Sequence, residues 1–123
     1  MHHITRRTAG LLLAWSACAS WGQSWPSKPI RMVVPFTPGG STDILARSIG
    51  QKLSQAWGQS VLIDNVPGAG GSIGADKVAK SAADGYTLGG FNDSILTMVP
   101  NINPNTPYQP LSDFGYVSLA ATI

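Results

Sequence analysis

The segment Pro35-Phe36-Thr37-Pro38-Gly39-Gly40-Ser41-Thr42-Asp43 sets two glycines, several hydroxyls and a carboxylate between two ordered patterns. These are the β-branched run Ile30-Arg31-Met32-Val33-Val34 and a helical pattern that starts at Ile44. Glycine lets the backbone come close to a guest, and the start of a helix leaves N–H groups unpaired. Such a strand-to-helix loop can hold a small anion without a cationic side chain. The competing reading is a tight turn at Gly39-Gly40 with Ser41 or Thr42 as the helix cap. Asp43 favours the helix dipole but would repel an anion at the same place. Its expected task is therefore to accept hydrogen bonds from the loop's own amides. Phe36 reads either as the apolar wall of a pocket or as an aromatic that packs.

A second loop, Asn65-Val66-Pro67-Gly68-Ala69-Gly70-Gly71-Ser72-Ile73-Gly74, repeats the pattern. It fails as a dinucleotide fingerprint, because Ile73 stands where the third glycine of G-x-G-x-x-G belongs and no acidic residue follows about 20 residues on at a strand end. Gly70-Gly71-Ser72-Ile73-Gly74 formally matches the G-x-S-x-G nucleophile elbow, which makes a truncated serine hydrolase with Ser72 the alternative function. An elbow needs its serine directly after a strand, however, and Asn65 to Gly71 intervene after Ile63. As an anion cradle the loop uses the physics of the first. Asn92-Asp93-Ser94 opens a third strand-to-helix connection, and Asp93 carries the same two readings as Asp43.

The missing residue types restrict the chemistry further. Both histidines (His2, His3) and the only cysteine, Cys18, lie near the start, and the chain has no glutamate. Ser/His/Asp or Cys/His catalysis and a zinc site with nitrogen or sulfur ligands therefore cannot be built from the body of the chain. No catalytic residue, metal or cofactor is expected.

Residues 1–22 read as an export signal: a basic start with Arg6 and Arg7, the apolar stretch Ala9 to Ala19, then small residues. Cleavage after Ala19 or after Gly22 fits, and Thr5-Arg6-Arg7 leaves a twin-arginine route open beside general secretion. The apolar stretch is too short for a permanent membrane anchor, so the processed chain is expected not to span a membrane. Arg6 and Arg7 are two of eight basic residues; without them, six face six aspartates and the formal net charge is zero. Nothing in that balance suits a nucleic acid partner.

The elements that must position these loops follow from periodicity. Ile30 to Val34, Val61 to Ile63, Tyr86 to Phe91 and Gly115 to Ala120 read as strands. Leu45, Ile49, Leu53, Ala56 and Trp57 form one helical stripe that Gly58 stops, and Trp57 reads as core. Ala75, Val78, Ala79 and Ala82 form a second stripe, which ends at Asp84-Gly85. A short helix from Ile95 is limited by Pro100, and Asn101 to Pro110 reads as irregular. Alternating strands and helices predict an α/β fold with a parallel sheet, in which every strand-to-helix loop lies at one carboxyl-terminal edge.

Four motifs in order, Trp25-Pro26-Ser27-Lys28-Pro29-Ile30, Pro35 to Asp43, Pro67 to Gly74 and Ala83-Asp84-Gly85-Tyr86-Thr87-Leu88, resemble the Bug or TctC family of extracytoplasmic solute receptors. The resemblance runs on through Tyr108 to Phe114. It implies a periplasmic, two-lobed, type II-like binding protein that closes on a small carboxylate or related compound and serves the membrane subunits of a tripartite tricarboxylate transporter. Residues 23–123 would then be part of the first lobe, stopping near the crossover to the second. Carried onto this chain, the ligand residues implied are Phe36, Thr37, Gly39, Gly40, Ser41 and Asp43 in the first loop, Gly70, Gly71 and Ser72 in the second, and Asn92 and Ser94 in the third.

Overall fold

A computed structural model describes residues 24–122; the expected export signal, with Cys18 and both histidines, lies outside them. Three parallel strands, β1 (Ile30–Val34), β2 (Val61–Asn65) and β3 (Thr87–Gly89), form a sheet of order β2-β1-β3. The register pairs Ile30 with Val61 and Val34 with Asn65 on one side, and Arg31 with Thr87 and Val33 with Gly89 on the other. The central strand is the most apolar of the three, as a strand flanked on both edges and covered by helices must be. Ile30, Val33 and Val34 are fully buried, and only Arg31 reaches the surface.

Helix α1 (Ser41–Trp57) packs on β1 and β2. It begins at Ser41 rather than Ile44, so Ser41 and Thr42 lie inside it and neither is the cap. Gly40 takes the cap position in extended conformation (φ −75°, ψ 167°) with no side-chain cap. The expected stop holds: Gly58 adopts the left-handed conformation (φ 66°) and donates its N–H to the Ser54 carbonyl at 3.1 Å. The face against the sheet is displaced from the predicted stripe. Asp43, Ala46 and Gly50 are buried, Ile49 and Leu53 pack beside them, and Leu45 and Ala56 are exposed. Close approach explains the displacement, since a Cβ at Gly50 would lie 3.3 Å from Ile63 Cδ1 and 3.4 Å from Val61 Cγ1. Small residues face the sheet and larger ones flank it. Trp57 is half-buried at the helix end, edge-on to Trp25 at 5.2 Å between ring centroids.

Helix α2 (Ser72–Ala79) is shorter than its stripe suggests. Lys80 and Ser81 turn their N–H groups back to the Asp76 and Val78 carbonyls at 3.0 Å each, leaving Ala82 and Asp84-Gly85 in the turns that follow. β3 holds only Thr87 to Gly89 of the six residues expected, although Tyr86 and Gly90 each add one backbone bond to β1.

After β3 the chain winds a π-helical turn, Ser94–Met98, and continues into α3 (Val99–Ile102). Pro100 does not limit this helix but sits in its first turn, where the missing N–H is tolerated. The π register carries the Val99 N–H to the Ser94 carbonyl. The next such bond would need an N–H at position 100, which proline lacks. The Ile95 carbonyl instead accepts from the hydroxyl of Tyr108, 2.7 Å away and 1% exposed. Burial pushes that phenol's pKa up. Tyr108→Phe leaves the carbonyl without its donor and is expected to cost about 1–3 kcal/mol in denaturant melts. Adding Pro100→Ala restores an N–H and should recover part of the loss, whereas additive losses would refute this account.

The expected fourth strand is not formed. Residues 115–122 carry no regular structure, with Val117 87% and Leu119 81% exposed. Strand propensity in this stretch becomes a strand only against a free sheet edge, and it pairs with none of the three described strands. It borders instead a cleft of about 1870 Å³, lined on one side by Leu45, Ile49 and Leu53 of α1 and by Leu88.

Candidate functional site

All three strand-to-helix connections emerge at the carboxyl edge of the sheet, and the structure brings them into contact. The backbone of Val66 continues the β1–β2 pairing by donating to the Val34 carbonyl at 2.8 Å. Pro35 lies so close to α2 that a Cβ at Gly74 would come within 2.7 Å of its Cβ and 2.8 Å of the Val66 carbonyl. A Cβ at Gly71 would collide with Ile95 Cδ1, which brings the third connection against the second. Phe36 packs against both apolar clusters, one on α1 and the sheet, the other around Ala75, Ile95 and Tyr108. Packing therefore accounts for most of its surface.

In the first loop Thr37, Pro38, Gly39, Gly40 and Ser41 are exposed. The first backbone bond of α1 runs from the Ile44 N–H to the Gly40 carbonyl at 3.0 Å. The amides of Ser41, Thr42 and Asp43 precede it and have no intrahelical partner. In the second loop four successive residues have positive φ: Gly68 (131°), Ala69 (47°), Gly70 (66°) and Gly71 (94°). Three of the four are glycines, as the region favours, and Ala69 adopts it as the one residue with a side chain. Gly70 is exposed, while Gly71 and Ser72 are buried. The Ser72 hydroxyl donates to the Ala69 carbonyl and thus braces its own loop. Six residues separate β2 from Ser72, and no histidine or cysteine lies among the described residues, so none of them supplies the imidazole base that a serine elbow uses. In the third connection the Ser94 hydroxyl donates to Asn92 Oδ1 at 2.7 Å, and Asp93 Oδ1 accepts from the Ser94 N–H at 3.0 Å. Asn92 and Asp93 share the rim of the large cleft with Ser41 and Thr42.

Asp43 is 2% exposed and accepts from one loop amide, that of Gly39, and from two side chains. Its Oδ2 accepts from the Gly39 N–H and from Arg47 Nε, each at 2.9 Å, and its Oδ1 accepts from Asn65 Nδ2 at 2.9 Å. Arg47 first, then the Gly39 amide and Asn65, hold this carboxyl well below the usual carboxylate range. Asn65 Nδ2 also donates to the Phe36 carbonyl at 3.1 Å, and Arg47 Nη2 donates to Asn65 Oδ1 at 3.0 Å. Reading the sequence for site residues misses Arg47 and Asn65. Arg47 stands four residues after Asp43, a spacing that signals a helical ion pair. Asn65 gives no such signal, since only the sheet register brings a β2 residue to the first loop.

A charge-paired carboxylate, an uncapped helix start and an adjoining glycine loop thus lie together at the carboxyl edge of the sheet. Among the described residues no helix is long and apolar enough to cross a membrane, and no cluster of metal-ligating side chains occurs. The sequence profile of TctC, the tripartite tricarboxylate transporter family receptor, matches residues 45–123. Protein BugT of Bordetella pertussis is 44% identical over 117 residues, which cover 94% of this chain and 34% of that protein. The chain spans 32–38% of the length of the curated relatives it matches. The MatC protein of Rhodopseudomonas palustris, solved with bound malate, superposes with a TM-score of 0.66 at 35% identity, over 72% of this chain and 30% of that one. A second R. palustris protein, solved with adipate, gives 0.61 at 41% identity over 71% and 29%. On the fold, the loops and these matches together, the chain belongs to the TctC family of tripartite tricarboxylate transporter receptors.

Proposed function

We propose that this chain is the carboxylate-holding part of an exported solute receptor, that it performs no chemistry, and that it passes its ligand to membrane transporter subunits. The observation that carries this reading is the uncapped first turn of α1 beside an Asp43 whose charge is already matched by Arg47. An anion at that turn meets free amides without facing an unbalanced carboxylate. In this reading Gly39, Gly40, Ser41 and Gly70 offer accessible backbone, and Thr37 lies beside them. Phe36, Gly71 and Ser72 shape the floor, Asp43 fixes the first loop, and Asn92 and Ser94 close the rim. The export signal over residues 1–22 would deliver the chain to the periplasm, where its relatives such as BugD are described as periplasmic binding proteins. Malate and adipate, bound by the two R. palustris proteins, define the chemical class to test.

The test is amide-resolved NMR of the full chain titrated with malate, with adipate and with the corresponding neutral diamides. Binding through loop amides alone competes with water, so a Kd of about 1 mM, on the order of 4 kcal/mol, is expected for the dianions. Shifts should centre on Gly39, Gly40, Ser41 and Gly70, with Val33 unmoved. Equal responses to the diamides, or no response at these amides, would overturn the reading.

A further inference from the structure

We infer that Arg47 and Asn65 are positioning residues of the carboxylate site, which close a ring with Asp43 that cancels its charge and holds the two glycine loops at a fixed spacing. The inference rests on the solute-receptor reading and adds to it two residues and a role for the buried acid. The ring is complete: Asp43 to Arg47 at 2.9 Å, Arg47 to Asn65 at 3.0 Å, and Asn65 back to Asp43 at 2.9 Å. It has two attachments to the first loop, at the Gly39 N–H and the Phe36 carbonyl. Its third member, Asn65, is the last residue of β2 and therefore the head of the second loop. One polar ring thus ties both ends of the first loop to the start of the second.

Charge gives the ring a further consequence. Asp43 lies in the first turn of α1, where an unmatched carboxylate would repel an anionic ligand. Arg47 is the one charged side chain that pairs with it among the described residues. On the elements packed against α1, Arg31 of β1 and Asp64 of β2 pair with each other at 3.9 Å, and Lys77 of α2 closes on Asp64 at 2.9 Å. Those charges are already engaged and do not substitute for Arg47. Arg47 itself is 52% exposed, so its removal leaves the helix in place while stripping the buried acid of its counter-charge.

The experiment compares Arg47→Met, Arg47→Lys, Asn65→Ala and the double variant Asp43→Asn/Arg47→Met in the full chain, with malate as probe and amide NMR as readout. At neutral pH Arg47→Met should weaken malate binding by about tenfold or more, because a charge-paired partner has been removed. Asp43→Asn should restore malate binding in the Arg47→Met background, a rescue that a purely structural role for Arg47 would not give. Arg47→Lys should keep the charge balance and bind malate better than Arg47→Met. Asn65→Ala should speed hydrogen exchange at the Gly39 amide while leaving exchange at Val33 unchanged, with or without malate. Unchanged malate affinity in Arg47→Met, or a double variant worse than either single change, would overturn the charge role. Unchanged Gly39 exchange in Asn65→Ala would overturn the spacing role. A wild-type chain that ignores malate and adipate would refute the receptor reading instead, and the exchange measurement still decides whether the ring holds the loops.

Discussion

Gly71→Val is expected to unfold the loop edge of the sheet, whereas Gly39→Val should cost much less stability, keep the fold and act mainly on binding. Both glycines have positive φ, 94° at Gly71 and 89° at Gly39, so each valine pays a backbone strain of about 1–2 kcal/mol. Their surroundings then separate them. A Cβ at Gly71 would collide with Ile95 Cδ1 and lie 3.4 Å from both the Cβ and the carbonyl of Pro35, while a Cβ at Gly39 meets nothing within 4 Å. Overpacking of this kind adds about 1–3 kcal/mol, for a total of about 2–5 kcal/mol at Gly71. That is a large share of the 5–15 kcal/mol, roughly, that holds an ordinary domain together. Ile95 also belongs to the cluster with Ala75 and Tyr108, so the damage should spread into the second apolar core. Denaturant melts of the two variants check this, and similar midpoints for both would show that the contact at Gly71 gives way at little cost.

Acidification should weaken the wild-type fold and should weaken Asp43→Asn much less. The folded-state pKa of Asp43 is held below its unfolded value of about 3.9 by Arg47, the Gly39 amide and Asn65. A group depressed in this way contributes stability that is fully present above its unfolded pKa. The contribution is lost as pH falls from there toward the folded value, because the unfolded chain then binds the proton more readily. The steep part of the curve should therefore open below about pH 5 and continue through pH 3. Asp113 is depressed in the same sense, first by the Gln109 backbone N–H and then by the Ser112 hydroxyl, so Asp43→Asn should retain a shallower acid slope. Chemical denaturation at a series of pH values gives both slopes. Parallel curves for wild type and Asp43→Asn would mean that the carboxylate is not held in its charged form by these partners.

Much of this molecule is readable from local rules. The β-branched run at Ile30 to Val34, the glycine stop at Gly58 and the parallel arrangement all follow from periodicity and punctuation, because they depend on residues adjacent in the chain. The task of Asp43 is readable too, since a carboxylate in a first helical turn beside glycine amides has few other partners. Where the chain deviates, contacts from distant residues decide. α1 turns its small residues, Ala46 and Gly50, to the sheet because β2 comes too close for larger ones, and no helical stripe carries that distance. Helix α3 runs through Pro100 because the register changes at Ser94, and a tyrosine thirteen positions after Ile95 supplies the donor that proline lacks. Residues 115–120 have strand-forming composition but no partner edge among the described strands, and pairing is a property of two segments rather than one. The sequence by itself determines the two glycine loops and the lack of histidine, cysteine and glutamate after Cys18, through residue type and spacing alone. Only the tertiary structure joins Asn65 to Asp43 and Arg47, because a hydrogen bond between residues 22 positions apart requires the register of β2 against β1 to bring them together.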